Sequence, residues 1–118
     1  MKGLLVRGAV VLGAGVLLAG LGVTRARAED GKPLYEKNCV ACHGASGKGD
    51  GPAGKMLKPP PGDFATALKG QSDADLLKVI KEGGKAVGKA PSMPAYGSKL
   101  NDEQIQAVVQ YVKGLGGK

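Results

Sequence analysis

The segment Cys39-Val40-Ala41-Cys42-His43 limits the possible folds and functions of this chain more than any other segment, because it contains both cysteines and the only histidine of the 118 residues. Three such residues are too few for a closed zinc site, which needs four Cys or His ligands. A disulfide between Cys39 and Cys42 would close too small a loop to stabilise the fold much. A thioredoxin-like pair would need a strand–helix–strand context that the sequence lacks, and a partial metal site would leave the long Gly/Pro-rich loops unexplained.

The same segment has the C-x-x-C-H spacing by which c-type haem is attached to proteins. Residues three apart on a helical turn share a face, so both thiols can reach the two vinyl groups along one porphyrin edge. The histidine next to the second cysteine is then held beneath the iron. We therefore predict one covalently bound haem c, attached through Cys39 and Cys42, with His43 as the proximal iron ligand.

The sixth iron ligand, if it comes from this chain, must be a methionine, because a second histidine is absent from the sequence. Met93 lies between Pro91 and Pro94, which restrict the backbone and stiffen the loop. It also follows His43 by 50 residues, enough for the chain to reach the opposite haem face. Met56 follows His43 by only 13 residues. We predict Met93 as the distal ligand and keep Met56 as the competitor.

Residues 1–28 have the features of an export signal. Lys2 and Arg7 form a basic start, residues 8–23 are uncharged and apolar, and Ala26-Arg27-Ala28 has a small-x-small cleavage pattern. The 16-residue apolar run is shorter than the ~20 residues that a membrane span needs. We expect the signal to be cleaved, leaving residues 29–118 as one periplasmic domain. The alternative is an uncleaved anchor that faces the periplasm.

The charge of the predicted mature domain argues against nucleic-acid binding. The full chain has 17 Lys+Arg and 10 Asp+Glu, and residues 1–28 contain four of the cations and no acid. Subtraction leaves 13 lysines, 10 acids and a net charge of +3, with no arginine for bidentate phosphate or base contacts. The lysines suit redox partner proteins with acidic docking surfaces. Membrane contact would be transient unless the leader is retained.

Three amphipathic segments predict an all-α fold, and no segment shows the alternation typical of a strand. The predicted helices run over Asp30 to about Cys42, Ser72 to about Glu82, and Asn101 to about Leu115. The connecting segments 44–61 and 84–99 are too long for an ordinary helical bundle. Only 3% of the residues are aromatic, so a chain this small needs buried surface from another source. A haem would supply it.

Taken together, these residues resemble the small class I cytochromes c, and the resemblance covers essentially all of residues 30–115. Cys39 to His43 matches the haem motif, and the segment Ser92-Met93-Pro94-Ala95-Tyr96 is similar to the methionine-ligand loop of that family. The resemblance implies a fold of three main helices with long loops around one haem. It also implies that the carbonyl of Pro52 accepts a hydrogen bond from His43, and that the last helix crosses the first near Gly31. No tryptophan is present to bind the propionates.

The resulting functional prediction is an exported monohaem cytochrome that carries single electrons between redox partner proteins and is not itself an enzyme. Imidazole and thioether ligation lets the iron change oxidation state with little change in coordination. Two alternatives remain open. The chain could be the haem subunit of a larger periplasmic oxidoreductase, or a haem enzyme or gas sensor whose sixth ligand is displaced.

Overall fold

The computed structural model describes residue 13 and residues 27–117. Within this part of the chain there are five α-helices and no strand, with bounds α1 Ala28–Asn38, α2 Val40–His43, α3 Phe64–Ala67, α4 Asp73–Glu82 and α5 Asp102–Gly116. The all-α prediction is confirmed. None of the described helices has the length and apolar character needed to cross a membrane. The predicted leader lies almost wholly outside the described residues and stays a prediction.

The first predicted helix is divided in two at Cys39. Helix α1 ends at Asn38, Cys39 has φ −120° and ψ −30°, and α2 begins at Val40. Backbone hydrogen bonds still join the two pieces, because the Cys39 N–H donates to the Tyr35 carbonyl at 2.8 Å and the His43 N–H donates to the Cys39 carbonyl at 2.8 Å. The prediction of one continuous helix is therefore corrected to two helices with a short irregular junction.

The other two predicted helices begin where their capping residues indicate. Ser72 caps α4 through a reciprocal pair of hydrogen bonds with Asp75, and Asn101 caps α5 in the same way with Gln104. In each pair, two backbone N–H groups at the start of the helix donate to side-chain oxygens, which satisfies donors that have no partner within the helix. Both predicted capping boxes are confirmed, although α5 continues one residue beyond the predicted end, to Gly116.

Helices α1 and α5 cross at Gly31, and their contact forms the centre of the core. A Cβ atom on Gly31 would collide with the backbone of Ala107 and Val108, so only glycine allows this approach. The predicted crossing is confirmed. The core contains Tyr35, Phe64, Leu76, Ile80, Leu100, Ile105, Val108, Val109 and Val112. Tyr35 and Ile105 are fully buried, and the ring of Tyr35 packs against Tyr111 at 5.2 Å between centroids.

Two long loops complete the fold. The histidine loop, residues 44–63, joins α2 to α3 and contains a 3₁₀ turn at Gly54–Met56. The methionine loop, residues 83–101, joins α4 to α5 and contains a 3₁₀ turn at Lys85–Val87. Neither 3₁₀ turn nor the short helix α3 was predicted, because three or four residues are too few to show helical periodicity.

Candidate functional site

A mainly apolar cavity of about 280 Å³ lies between the helices and the two loops. All five helices contribute to its walls. Its apolar lining residues include Leu57, Phe64, Leu68, Leu76, Val79, Ile80, Val108 and Val112. Because side chains of the core also line this cavity, a planar apolar group bound there would extend the core of a domain that has few aromatic residues.

Cys39, Cys42 and His43 line this cavity together, at the junction of α1 and α2. Both cysteines are half-buried and have free thiols. Burial, with a smaller contribution from the charge of Cys42, raises the pKa of the Cys39 thiol to about 11. That thiol is therefore protonated at neutral pH. The structure brings together the three residues that the C-x-x-C-H spacing singled out.

The imidazole of His43 is held between helix and core. Its ring stacks on the ring of Phe64, with 5.0 Å between centroids and 29° between the planes. Burial lowers the pKa of His43 below its usual value, which favours the neutral imidazole that binds metals. Its Nδ1 atom is buried and has no hydrogen-bond partner among the described residues.

The histidine loop turns back against α2 directly after His43. The Gly49 N–H donates to the His43 carbonyl at 2.8 Å, and the Ala53 N–H donates to the Ala41 carbonyl at 2.9 Å. A Cβ atom on Gly51 would meet the carbonyl oxygens of Val40 and Ala41. The loop therefore touches α2 backbone to backbone, without side chains between them.

Pro52 does not reach the cavity in this structure. It is exposed and is not among the lining residues. The expected hydrogen bond from His43 to its carbonyl is not formed, because Nδ1 of His43 has no partner among the described residues. The loop approaches His43 instead through the Gly49 N–H, on the backbone side of the residue. The role of Pro52 as the partner of His43 stays a prediction.

The two candidate methionines lie in different environments. Met93 is half-buried, packs against the core and lines the same cavity as His43. Met56 is 83% exposed and is not a lining residue. Of these two thioethers, only that of Met93 is placed where a group bound beside His43 could be contacted.

The methionine loop is fixed to α4 and to α1. The N–H groups of Tyr96 and Gly97 donate to the carbonyls of Ile80 and Lys81 at 2.9 and 3.0 Å. The Tyr96 hydroxyl donates to the Asn38 carbonyl at 2.8 Å, across 58 residues of sequence. Burial, and then the nearby cysteine thiols, raise the pKa of Tyr96, so its hydroxyl stays protonated and able to donate.

Most of the lining residues were not singled out by the sequence analysis, and Phe64, Gln71 and Lys89 are among them. Phe64 stacks on His43, and Gln71 and Lys89 line the cavity from segments that flank α4. Phe64 is the only phenylalanine of the chain, which could have drawn attention to it. The positions of Gln71 and Lys89 depend on how the loops fold, and no spacing in the sequence reveals them.

The residues of this cavity fit a haem. Two thiols, a neutral imidazole with a buried free nitrogen and a thioether make up the donor set that haem c uses, within apolar walls that suit a porphyrin. An all-α domain built around such a cavity defines a small haem-binding protein. The sequence pattern of the cytochrome c family matches residues 28–116, and the chain belongs to that family.

Similar proteins agree with this assignment. The chain is 37% identical over 92 residues to the cbb3-type cytochrome c oxidase subunit CcoP of Azospirillum brasilense, and the match covers 78% of this chain and 30% of that protein. It is 32% identical over 97 residues to the gluconate 2-dehydrogenase cytochrome c subunit of Pantoea cypripedii, covering 75% of this chain and 20% of that protein. The chain thus spans less than a third of the length of these curated relatives.

A solved structure, the KustC0563 c-type cytochrome, has the same fold. It superposes with a TM-score of 0.60 at 31% sequence identity, covering 73% of this chain and 96% of that chain. The family and its relatives show that this protein binds haem c covalently and is an electron-carrying cytochrome.

Proposed function

We propose that this protein is an exported cytochrome c that passes single electrons between redox partner proteins, with one haem attached through Cys39 and Cys42. His43 is the proximal iron ligand and Met93 the distal one. The observation that carries this proposal is that these four side chains line one cavity, whereas Met56 is 83% exposed outside it. A bound haem supplies the one-electron chemistry. The protein supplies the ligands and the apolar walls, which exclude water from the iron.

The Met93 assignment is tested by replacing each methionine with alanine. Met93→Ala should lower the reduction potential, abolish the long-wavelength sulfur-to-iron absorption of the ferric protein, and allow cyanide or carbon monoxide to bind. Met56→Ala is the matched control and should leave all three properties unchanged, because its side chain lies in solvent.

The same two variants also distinguish an electron carrier from a haem enzyme or gas sensor. If Met56→Ala changed these properties and Met93→Ala did not, Met56 would be the distal ligand instead. If neither substitution changed the spectrum, or if the wild-type protein bound carbon monoxide readily, the sixth site would be open and a haem enzyme or gas sensor would be the better account.

A second candidate is permanent residence in a larger oxidoreductase. This is favoured by the names of the relatives, which are subunits of a cytochrome c oxidase and of a gluconate dehydrogenase. The two candidates predict different native masses. Size-exclusion chromatography of the protein from its native host gives the mass of a single small chain for a mobile carrier, and a much larger mass for a subunit.

The partner of a mobile carrier would be recognised by charge. The two loops present exposed lysines at positions Lys48, Lys55, Lys58, Lys85 and Lys89. We infer that these lysines steer a partner with an acidic docking surface, in the periplasm or at a membrane that faces it. The rate of electron transfer to the native partner should then fall as salt shortens the Debye length to about 8 Å near physiological ionic strength. A rate that is unchanged or rises with salt would exclude this steering.

A further inference from the structure

Aromatic residues are scarce in this chain, yet most of them lie in one series. The sequence contains one phenylalanine, three tyrosines and no tryptophan. Phe64 stacks on His43 with 5.0 Å between ring centroids. Tyr35 meets Phe64 edge to face at 6.3 Å, and Tyr111 packs against Tyr35 at 5.2 Å. All but one of the aromatic residues thus form, with the only histidine, a continuous series of rings.

This ring series leads out of the cavity. His43, Phe64 and Tyr35 line the cavity, whereas Tyr111 does not. The two middle rings have little or no access to solvent, because Phe64 is 8% exposed and Tyr35 is 0% exposed. Tyr111 is half-buried on α5, so its ring reaches solvent outside the cavity. The series therefore begins at the imidazole beside the cavity and ends at the surface of α5.

The crossing of α1 and α5 brings the two tyrosines of the series together. The backbones approach most closely where Gly31 meets Ala107. Tyr35 and Tyr111 each follow the contact residue of their own helix by four positions, which places them on the same helix faces. The hydroxyl of Tyr35 donates to the Gly44 carbonyl at 2.6 Å and fixes this ring from the other side. The centroid separations lie in the range that aromatic pairs prefer.

Closely packed rings favour electron transfer over a distance, because tunnelling is fastest where bonded or touching atoms fill the space between donor and acceptor. We propose that these four rings form an electron path between the haem iron and the surface of α5, by which Tyr111 regains an electron that a one-electron oxidant has removed. The proposal rests on His43 as the proximal iron ligand, because that bond joins the first ring to the iron.

The path gives the protein a second activity, the reduction of oxidising radicals at a surface outside the cavity. A radical takes one electron from the Tyr111 phenol and becomes an anion, while the phenol proton passes to water. One electron then crosses from ferrous iron to the Tyr111 phenoxyl radical, which takes up a proton from water, and the iron becomes ferric. The net change is the oxidation of one ferrous iron by one radical.

Tyr111 and Tyr35 differ in how well they can hold the radical. The Tyr35 hydroxyl is buried and bonded to a backbone carbonyl, which accepts a hydrogen bond but does not take up the proton. The Tyr111 hydroxyl forms no hydrogen bond within residues 27–117, and its half-buried ring has access to water. The radical therefore forms at Tyr111, and Tyr35 and Phe64 only conduct the electron.

The path is tested in the ferrous, haem-loaded protein with azide radicals generated by pulse radiolysis. Tyr96→Phe leaves Tyr111 as the only tyrosine with access to solvent, because Tyr35 is fully buried. The decay of the tyrosyl absorption and the loss of the ferrous haem absorption are then followed together, with and without Phe64→Leu. The matched control is the same Phe64→Leu substitution in Tyr111→Phe, where the radical forms at Tyr96. That residue lines the cavity itself and needs no ring between it and a bound haem.

The expected result is that Phe64→Leu slows the decay of the Tyr111 radical several-fold and leaves the decay of the Tyr96 radical unchanged. Tyr35→Leu interrupts the same series at the next ring and should slow the Tyr111 radical alike, so it replaces Phe64→Leu if that variant does not fold. An unchanged Tyr111 decay would show that the rings only fill the core and overturns the path. Equal slowing of both radicals also overturns it, because it would show a general disturbance of the haem site.

One measurement needs no change in the core. With the ring series intact, the decay of the Tyr111 radical in Tyr96→Phe should be first-order, independent of protein concentration and matched by the loss of ferrous haem. A decay that rises with concentration, as when two tyrosyl radicals combine, overturns the path.

The Tyr96 radical separates this proposal from the function on which it rests. If the loss of ferrous haem follows the decay of the Tyr96 radical but not that of the Tyr111 radical, the path is overturned alone. If it follows neither decay, the cavity does not hold an electron-carrying haem, and the path is overturned with it.

Discussion

The histidine loop and the methionine loop line the same cavity but are fixed to the helices in different ways. The histidine loop bonds to α2, its immediate neighbour in sequence, and at Gly51 its backbone lies directly on two carbonyls of that helix. The methionine loop bonds to the last carbonyls of α4 and, through one tyrosine hydroxyl, to the distant Asn38. Both loops are hydrogen-bonded to a helix, but the backbone approach is closer in the histidine loop. A Cβ atom on Gly51 would overlap two carbonyl oxygens of α2, whereas a Cβ atom on Gly97 in the methionine loop would lie 3.0 Å from the Lys81 oxygen.

Because of this difference, the two sides of the cavity are expected to differ in how readily their loops are displaced from the helices. A backbone contact without side chains cannot be relaxed by rotating a side chain, so the His43 side is expected to be rigid. A hydrogen bond contributes about 1 kcal/mol, and its loss leaves no clash. The Met93 side is therefore expected to open first when the protein is perturbed.

The largest effect is expected at Gly51. Gly51→Ala forces a Cβ atom against the Val40 and Ala41 carbonyls and should cost about 3 kcal/mol in the free energy of unfolding, with a lower yield of haem-loaded protein. Gly88→Ala is the counterpart in the methionine loop. Nothing lies within 4 Å of its Cβ position, so only its φ of +73° opposes the change, at about 1 kcal/mol. Equal losses in denaturant titrations would contradict the proposed difference between the loops.

An intermediate effect is expected at Tyr96. Tyr96→Phe removes the 2.8 Å hydrogen bond to Asn38, which should cost about 1 kcal/mol and affect mainly the methionine loop. Binding of imidazole or cyanide in place of Met93 should tighten about fivefold. Tyr111→Phe serves as control, because that hydroxyl forms no hydrogen bond within residues 27–117. If both variants bound cyanide equally, the hydroxyl of Tyr96 would have no part in holding the loop.

The smallest effect is expected at Asp102, whose carboxylate lies 2.8 Å from the Lys81 ammonium. Lys81 lies at the end of α4, just before the methionine loop begins. The hydrogen bond from Lys81 to Asp102 raises the pKa of Lys81 above its ordinary 10.5. The folded state thus binds this proton more tightly than the unfolded state, so the stabilisation is complete below pH 10.5 and is lost as pH rises through the folded pKa. Asp102→Asn should slightly lower the denaturation midpoint at neutral pH and converge with wild type at high pH.

Asp73→Asn is the control for Asp102→Asn. It breaks an exposed pair with Lys113, at 2.7 Å, and changes the acceptor of the Gln110 amide, and both contacts join α4 to α5 away from the methionine loop. Both variants should lose a little stability, but only Asp102→Asn should increase the affinity for cyanide. The same affinity in both would show that the Lys81 pair does not support the loop.

The sequence predicted the features that depend on local spacing. The capping pairs of Ser72 and Asn101 fixed the beginnings of α4 and α5, and the apolar positions of α5 fixed the face that it buries. The crossing at Gly31 came from a family resemblance and is confirmed. The junction at Cys39 was missed, since helical periodicity continues across it while the backbone does not.

The cavity was only partly predictable. The C-x-x-C-H segment named three lining residues, and the flanking prolines singled out Met93. Gln71, Lys89 and the stacking of Phe64 on His43 depend on the path of the loops, which long-range backbone hydrogen bonds determine. The Phe64 N–H, for example, donates to the Gly47 carbonyl across 17 residues, and no local pattern encodes that bond.

The crossing of α1 with α5 joins the two ends of the described domain. Tyr35 is buried partly by residues of the last helix, so a chain that lacked residues 102–116 would leave the first helix without its main packing partner. Loss of the last helix would also remove the part of the cavity wall that Val108 and Val112 supply, so the two ends of the sequence are needed together to close one cavity.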